Sequence, residues 1–402
     1  MLKDIDRTQF EGKPVLIVSA GPSLAEDIEH IRYIKENNLA YIFSVGSAIN
    51  SLIEYDVLPD AVFTYDPKQR NQNVFKKMFE KNIETIPMIF GTSVGYETVQ
   101  KYSGPKVHFI TSQDKTSLYF LKEQIDLERD LILDSPSIAV MTFQIVNKLG
   151  ASPIIFAGQN LGFLYGRRFS KGIEYDHIQS EVDDDTLKNA LKTKDVYGND
   201  IKTNTSFNSM RKAIERFVEF YKENTFINTT KGGAAIKGIP FMPIEQVISE
   251  ILTQPIHKKN WWADKRRYTQ TEISKKYSIL QQSKNDFLDQ LTVFEKIISS
   301  ISRNTKIRNE NKLLSDLQQF DVLYNQIYEN LYYKSFLSFY IRTQVNYMSN
   351  EIKRLNQEQD IFIKGRDIAN SFVNFLLHCK QGNDELEMLM KSNIHDKFIQ
   401  GV

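Results

Sequence analysis

The residues that follow the apolar run Val15–Val18 are of types that bind phosphate groups. The run itself is β-branched and typical of a buried strand. Gly21 lets the backbone approach a ligand closely, Pro22 suits a first helical turn, and Ser23 can cap the helix. That helix would bury Leu24, Ile28, Ile31 and Ile34. A strand, turn and helix in this order direct backbone N–H groups and a helix dipole at one point, which predicts a phosphate site.

Small and hydroxyl-bearing residues also follow the other apolar runs. These runs are Tyr41–Val45, Ala61–Tyr65, Pro87–Phe90, Val107–Ile110 and Ile154–Ala157. They lead to Gly46-Ser47, Asp66-Pro67, Gly91-Thr92-Ser93, Thr111-Ser112 and Gly158-Gln159-Asn160. Turn preference explains any single case, but the set predicts an open polar crevice. The patterns GxxxxGK[ST] and GxGxxG are missing from these turns, which argues against an ordinary ATPase or Rossmann dehydrogenase.

A second group of chemical side chains lies between residues 158 and 240. Arg167, Arg168 and Lys231 could hold an anionic substrate through charge-assisted hydrogen bonds. Each of them could equally be a solvated loop charge. His177 is the one histidine of this stretch, and it could act as a general base. Other residues predicted to contact substrate here are Tyr165 and Thr230.

The alternation of apolar runs with amphipathic segments such as Asn71–Lys81 and Ser137–Leu149 indicates an α/β fold. We expect a Rossmann-like, mainly parallel sheet with helices on both faces. In such sheets, ligands bind beyond the carboxyl ends of the strands. The residues at the strand ends should therefore converge on one site.

Glycine and proline divide the chain. All 11 prolines lie at or before Pro255, and neither residue type occurs between Pro255 and Gly365. The sequence thus predicts a catalytic α/β domain over residues 1–255 and an all-α helical bundle over 256–402.

A four-three apolar seam marks the second part, interrupted only at Lys284. Its members are Ile273, Tyr277, Leu280, Phe287, Leu291, Phe294, Ile298 and Ile301. Aromatic residues crowd the segment from Tyr332 to Tyr340, where core packing is the simpler explanation. The pattern indicates long antiparallel helices that bind a protein partner or form a homo-oligomer.

Composition excludes several classes of protein. Lys and Arg total 51 against 50 Asp and Glu, so the net charge of +1 gives no reason to expect nucleic acid as a partner. The single cysteine, Cys379, excludes an intrachain disulfide and a cysteine-rich metal site. The sequence has no apolar signal region and no unbroken membrane-spanning stretch, so we expect a cytoplasmic protein without membrane insertion.

Over about residues 14–245, the motifs resemble those of bacterial motility-associated factors (Maf proteins), which glycosylate flagellin. The matching segments are Ser19-Ala20-Gly21-Pro22-Ser23-Leu24, Asp66-Pro67, Leu149-Gly150, Ile154 to Leu161, Gly198 with Thr203, and Asn228 to Gly238. The family is similar to bacterial sialyltransferases that use cytidine-monophosphate (CMP) sugars. Those carry Gly-Asn where Ser19-Ala20 stand, and Gly46 lies near their nucleotide-binding Asn. Maf proteins usually carry Asp where Asn160 stands and Ala at Gly162.

The resemblance implies transfer of a nonulosonic acid, of the pseudaminic or legionaminic type, from its CMP form to Ser or Thr of flagellin. The helical part would then capture flagellin, which is itself helical at its conserved ends. No cofactor is obligatory, because a monophosphate leaves. A divalent metal stays an option, since Asp66 could bind either a hydroxyl group or a metal ion. The residues expected at the donor nucleotide and its phosphate are Ser19, Ala20, Gly21, Pro22, Ser23, Leu24, Gly46, Ser47, Asp66, Ser137, Gly158, Gln159 and Asn160.

Two alternatives remain open from the sequence. Archaeal hydroxymethylpterin pyrophosphokinases share the AGPSL-like turn and the Asp-Pro motif, and such an enzyme would bind ATP and Mg²⁺ with Asp66 as a metal ligand. The long helical part, which a small pterin does not need, argues against this reading. The third hypothesis is a non-catalytic flagellin-binding chaperone.

Overall fold

A computed structural model describes residues 1–170, 173, 179–258, 260–262 and 269–391. The chain forms two compact units. The first comprises Met1–Asp114 and Gln124–Arg266, and the second comprises Lys115–Glu123 and Arg267–Val402. The domain boundary predicted near Pro255 therefore differs from the boundaries of the two compact units at two places. The linker region stays with the first unit, and the short segment Lys115–Glu123 packs with the second.

The strands are short and, in the main sheet, mostly buried. Their bounds are β1 Val15–Val18, β2 Tyr41–Val45, β3 Ala61–Thr64, β4 Met88–Gly91, β5 Lys106–Thr111, β6 Leu131–Ile132, β7 Ile154–Ala157, β8 Leu191–Lys194, β9 Asp200–Thr203 and β10 Phe226–Asn228. The predicted runs match β1 to β5 and β7 to within one residue at either end. The sequence interpretation missed four strands. Strands β6 and β10 have two and three residues and carry too little periodicity to be recognised, and β8 and β9, which pair antiparallel, contain no apolar run.

The helices differ greatly in length between the two units. Their bounds are α1 Ile28–Glu36, α2 Ala48–Glu54, α3 Lys76–Glu80, α4 Tyr96–Lys101, α5 Lys115–Leu121, α6 Leu127–Asp130, α7 Ile138–Lys148, α8 Asp184–Lys188, α9 Thr205–Phe220, α10 Ile244–Glu250, α11 Gln270–Lys306, α12 Glu310–Glu329, α13 Ser338–Tyr340, α14 Arg342–Leu355 and α15 Ile361–Met390. Helical turns of 3-10 type cover Leu2–Asp4, Arg7–Gln9, Pro22–Glu26, Gln69–Phe75 and Lys122–Gln124, and a π-helical segment covers Tyr333–Leu337.

The main sheet of the first unit has eight strands among the described residues, in the order β10-β7-β1-β2-β3-β4-β5-β6. Every neighbouring pair is parallel. From β1 the chain winds outwards to β6, then returns to place β7 on the other side of β1. The strand order thus reverses beside β1, and loops diverge there to leave a crevice. Apolar clusters cover both faces of the sheet, which confirms the predicted α/β class.

The second unit is helical in its described part. Of the predicted seam, every residue except Ile273 is buried. Lys284, which interrupts the seam, has a mostly buried side chain whose ammonium lies 3.6 Å from Glu387. Phe294 packs against Phe320 of α12 and Phe372 of α15, with ring centroids 5.2 and 5.8 Å away. The helical class predicted for this part is confirmed.

Candidate functional site

A crevice of about 380 Å³ opens at the carboxyl ends of β1, β2, β3 and β7. Its lining residues are Ser19, Ala20, Gly21, Val45, Gly46, Ser47, Thr64, Tyr65, Asp66, Asn71, Val74, Pro136, Ser137, Ile138, Ala139, Gly158, Gln159, Asn160, Leu161, Gly162, Arg168, Phe169, Phe207 and Met210. The residues after β1, β2, β3 and β7 therefore converge as the sequence predicts, at the position where parallel sheets bind ligands. The prediction is wrong for Gly91-Thr92-Ser93 and Thr111-Ser112, which do not line the crevice.

The turn after β1 differs from the predicted strand–turn–helix. A 3-10 turn over Pro22–Glu26 follows Gly21, and α1 begins only at Ile28. Ser23 is consequently not a helix cap. The backbone N–H of Gly21 donates to Gly158 O at 2.8 Å, and that of Ser23 donates to Asn160 Oδ1 at 3.1 Å. The prediction that these two N–H groups are free for a phosphate is wrong, because the loop after β7 already accepts their hydrogen bonds.

The loop after β7 holds the β1 turn in place. Asn160 Oδ1 also accepts from Ser23 Oγ at 2.9 Å, and Ser19 Oγ donates to Gln159 Oε1 at 2.5 Å. Asn160 and Gln159 are almost fully buried. A Cβ at Gly21 would lie 2.2 Å from Asn160 Oδ1 and 2.3 Å from Gly158 O, so the two loops touch directly. Both loops are thus one rigid wall of the crevice.

The opposite wall contains the amino terminus of α7. Ser137 is its N-cap and accepts a hydrogen bond from the N–H of Ala139 at 3.2 Å. The 11 residues of α7 direct the positive end of their dipole into the crevice. Gly46 faces it with φ +52°, a left-handed conformation that glycine adopts without strain. Here the structure provides the helix terminus that the sequence interpretation placed after β1.

Polar side chains after β3 form the floor. Asp66 accepts a hydrogen bond from the N–H of Lys68 at 2.9 Å and is half-buried, which leaves carboxylate surface in the crevice. Asn71 Nδ2 donates to Thr64 Oγ1 at 2.8 Å and is itself buried. Tyr65 OH donates to Ser135 O at 3.0 Å, and burial raises the pKa of Tyr65 to about 12. Tyr65 is therefore neutral at physiological pH and acts as a hydrogen-bonding group.

Among the described lining residues, Arg168 is the one cation. Its guanidinium donates to the carbonyls of Gln179 and Glu181 at 3.0 and 3.2 Å, and lies 5.7 Å from the ring centroid of Phe163. These contacts fix the guanidinium at the rim of the crevice. The neighbouring Arg167 lies 3.6 Å from Glu181 and does not line the crevice.

Several predicted site residues lie elsewhere. Pro22, Ser23 and Leu24 are buried behind the turn. Tyr165 is 71% exposed and donates to Glu26 at 3.0 Å. Thr230 is fully buried, and its hydroxyl accepts from the N–H of Gln159 at 3.0 Å.

Lys231 is not available for an anionic substrate either. Its ammonium lies 3.0 Å from Asp27 and 2.8 Å from Glu245. His177, the predicted base, lies outside the described residues.

The sequence interpretation missed an apolar side of the crevice formed by Phe169, Phe207 and Met210. Phe207 and Met210 lie three residues apart on α9, and both pack against the sheet core. Their helical spacing could have indicated a buried face, although not that this face borders a ligand site. An apolar wall beside polar loops suits a nucleotide base or sugar ring.

The first unit is thus a Rossmann-like parallel α/β fold with a crevice at its switch point, and the second unit is helical in its described part. A family model described as "6-hydroxymethylpterin diphosphokinase MptE-like" matches residues 1–166. The chain is also similar to the solved structure of the MAf glycosyltransferase from Magnetospirillum magneticum AMB-1, with a TM-score of 0.52 and 15% identity over 94% of this chain. This chain spans 56% of that one. At this identity the likeness shows the fold.

These two families are those named by the sequence motifs, so the predicted resemblance is confirmed. Comparison with curated proteins gave no match. In the described part of the chain, no helix combines the length and the apolar character needed to cross a bilayer.

Proposed function

We propose that this chain is a glycosyltransferase that transfers a nonulosonic acid of the pseudaminic or legionaminic type from its CMP donor to Ser or Thr of flagellin. The crevice at the switch point carries this proposal. Its volume of about 380 Å³ lies in the range of sites for small ligands. The fold shared with a Maf glycosyltransferase, together with the Maf-like motifs, supports this class of reaction.

The donor phosphate binds at the amino terminus of α7. Ser137 and Ala139 border the crevice there, and the helix dipole stabilises the negative charge of the phosphate. Arg168 at the rim adds positive potential, and the negative charge of the departing CMP is stabilised by both groups. The cytosine ring lies against Phe207 and Met210. Asp66 accepts a hydrogen bond from a sugar hydroxyl group.

The transfer is a displacement at the anomeric carbon. The acceptor hydroxyl oxygen forms the new bond to that carbon while the bond to the phosphate oxygen breaks, and CMP takes both electrons of the broken bond. The acceptor proton passes to a base, for which His177 remains the residue predicted from the sequence. Because a monophosphate leaves, the residues of the crevice suffice to stabilise it without an obligatory metal ion.

A second candidate is a hydroxymethylpterin diphosphokinase, favoured by the family model that matches residues 1–166. This enzyme would bind ATP with Mg²⁺, and Asp66, a carboxylate that lines the crevice, would be a ligand of the Mg²⁺ ion. A pterin substrate does not require the helical unit, so the presence of this unit favours the glycosyltransferase with a flagellin acceptor over the diphosphokinase.

Calorimetry distinguishes the two candidates. We expect CMP to bind at least about 10-fold more tightly than ATP with Mg²⁺, a difference of about 1.4 kcal/mol. Preference for ATP with Mg²⁺ would replace the glycosyltransferase by the diphosphokinase. The intact mass of flagellin from cells with and without this protein tests the transfer itself, since each modified site adds one nonulosonic acid.

A further inference from the structure

The loop after β10, residues 229–234, packs against the loop after β7, which lines the crevice. Thr230 Oγ1 accepts from the N–H of Gln159 at 3.0 Å, and the N–H of Ala234 donates to Asn160 O at 2.8 Å. A Cβ at Gly233 would lie 3.1 Å from Asn160 Cα, so the two loops pack closely. Gln159 and Asn160 in turn hold the β1 turn through Ser19 and Ser23. The position of this loop therefore sets the shape of one crevice wall.

Lys231 ties the same loop to the segment that follows the β1 turn. Its ammonium lies between Asp27, the residue before α1, and Glu245 of α10. Asp27 is 0% exposed, and among the described residues the Lys231 ammonium is the one positive group within ion-pair distance of its carboxylate. A carboxylate in this environment is costly unless a cation compensates it.

The charges around Asp27 come from three elements. Lys231 belongs to the loop, Glu245 to α10, and His30 to α1, where its Nε2 lies 3.9 Å from Glu245. Burial raises the pKa of Asp27, and the Lys231 ammonium opposes that rise. Burial also disfavours the charged form of Lys231, but Glu245 and Asp27 outweigh it and hold the pKa of Lys231 above its usual value. Lys231 is therefore charged at neutral pH, and its ammonium favours the ionised form of the Asp27 carboxyl.

We propose that Lys231 is a positioning residue, whose ion pair with buried Asp27 closes a ring of contacts through Thr230, Gln159 and Asn160 and so fixes the crevice for its nucleotide. The consequence for ligand affinity rests on the proposed function. The ring itself is a property of the free protein and can be tested without ligand.

The variant Lys231→Met removes the ammonium and retains much of the side-chain volume. Asp27 is then a buried charge without compensation, and the loop can close only when that carboxyl takes a proton. The closed state binds the proton more tightly than the open state, so closure is retained at low pH and lost as pH rises through the pKa of Asp27. Lys231→Arg, which keeps a positive charge, is the conservative control. Asp27→Asn with Lys231→Met removes both charges.

Hydrogen exchange of the nucleotide-free protein measures loop closure in peptides covering 158–162 and 229–234. In Lys231→Met we expect exchange at least about 10-fold faster than in wild type near pH 8, with a smaller ratio near pH 5. Lys231→Arg should restore most of the protection. The double variant should show faster exchange with a ratio that does not change with pH. Affinity for CMP should fall in parallel with the loss of protection.

The inference would be overturned if these peptides exchanged as slowly in the double variant as in wild type. This test stands even if Lys231→Met alone failed to fold. A pH-independent ratio in Lys231→Met would also overturn it. If wild type binds no CMP, the proposed donor is wrong, while the exchange data still decide the role of Lys231.

Discussion

At the scale of single residues, the crevice depends on a missing side chain. Gly21 has φ −71°, a value that any residue adopts, so its conformation does not require glycine. Its surroundings do, because Asn160 Oδ1 and Gly158 O occupy the space of a Cβ at 2.2 and 2.3 Å. Both are buried parts of a hydrogen-bonded loop and cannot move away cheaply.

Gly21→Val should therefore separate the β1 and β7 loops. We expect CMP affinity to fall by at least about 100-fold and the first unit to lose about 2–3 kcal/mol of unfolding free energy through overpacking. Calorimetry and thermal unfolding measure the two effects. Gly12→Ala is the matched control, since nothing lies within 4 Å of its Cβ position and only its φ of +66° adds strain. Unchanged CMP affinity in Gly21→Val would show that the β1 turn does not shape the site.

The second residue-scale prediction concerns His177. Loss of a positioned general base should lower the transfer rate by about 10²–10⁴-fold with little change in CMP affinity. Steady-state transfer to flagellin by His177→Ala, with His378→Ala on α15 as the control, measures this effect. A near wild-type rate in His177→Ala would remove this residue from the mechanism.

At the scale of secondary structure, close helix packing in the second unit depends on α15. A Cβ at Gly365 would lie 2.5 Å from Thr305 Oγ1 and 3.1 Å from Leu313 Cδ1. A Cβ at Gly382 would lie 2.7 Å from Ile341 Cγ2. Because these two positions carry no Cβ, α15 approaches α11, α12 and the segment before α14 more closely than it could with any other residue there.

Two effects of opposite sign decide the outcome of Gly365→Ala. Alanine stabilises a helix by about 1 kcal/mol relative to glycine. Overpacking against Thr305 and Leu313 costs about 1–3 kcal/mol, so we expect net destabilisation by about 1 kcal/mol. Thermal or urea unfolding measures it. Asn370→Ala, at an exposed position of the same helix, should instead be neutral or slightly stabilising. If Gly365→Ala were more stable than wild type, Thr305 and Leu313 would be able to move and accommodate the added methyl group without a loss of unfolding free energy.

At the scale of the whole molecule, each unit has its own surface suited to a different ligand. The first has the polar crevice, and the second has an open groove of about 800 Å³ between α11 and α15. Arg303 and Lys306 line this groove beside Ile307 and Val373, which are 64% and 56% exposed. Exposed apolar side chains flanked by cations suit an amphipathic helix of a protein partner.

We therefore expect Arg303→Glu with Lys306→Glu to weaken flagellin binding by about 10-fold while CMP affinity stays unchanged. Surface-plasmon measurements with immobilised flagellin and calorimetry with CMP test the two halves of this prediction. Lys353→Glu with Lys364→Glu makes the same charge change at one exposed and one half-buried position away from the groove. Equal flagellin binding by all three proteins would assign acceptor recognition to the first unit. A change in oligomeric state would make the groove an interface between copies of this chain.

The parts of this molecule that the sequence predicted are those encoded by local patterns. Strands β1, β2 and β7 are short β-branched or aromatic runs, and the seam of α11 repeats every three or four residues. Burial on both sheet faces requires such continuous runs, and burial along one helix face requires such a repeat. The convergence of the ends of β1, β2, β3 and β7 at one crevice follows too, because parallel strands present their carboxyl ends at one edge.

The tertiary structure alone decided which polar groups are free. Ser23 and Asn160 lie 137 positions apart, yet their hydrogen bonds occupy the N–H that the local motif presents for a phosphate. Lys231 is a loop cation by sequence and the ion-pair partner of the buried Asp27 in the fold. The amino terminus of α7 faces the crevice because β7 returns beside β1. Periodicity records whether a side chain is buried, whereas its hydrogen-bond partner depends on how distant segments meet.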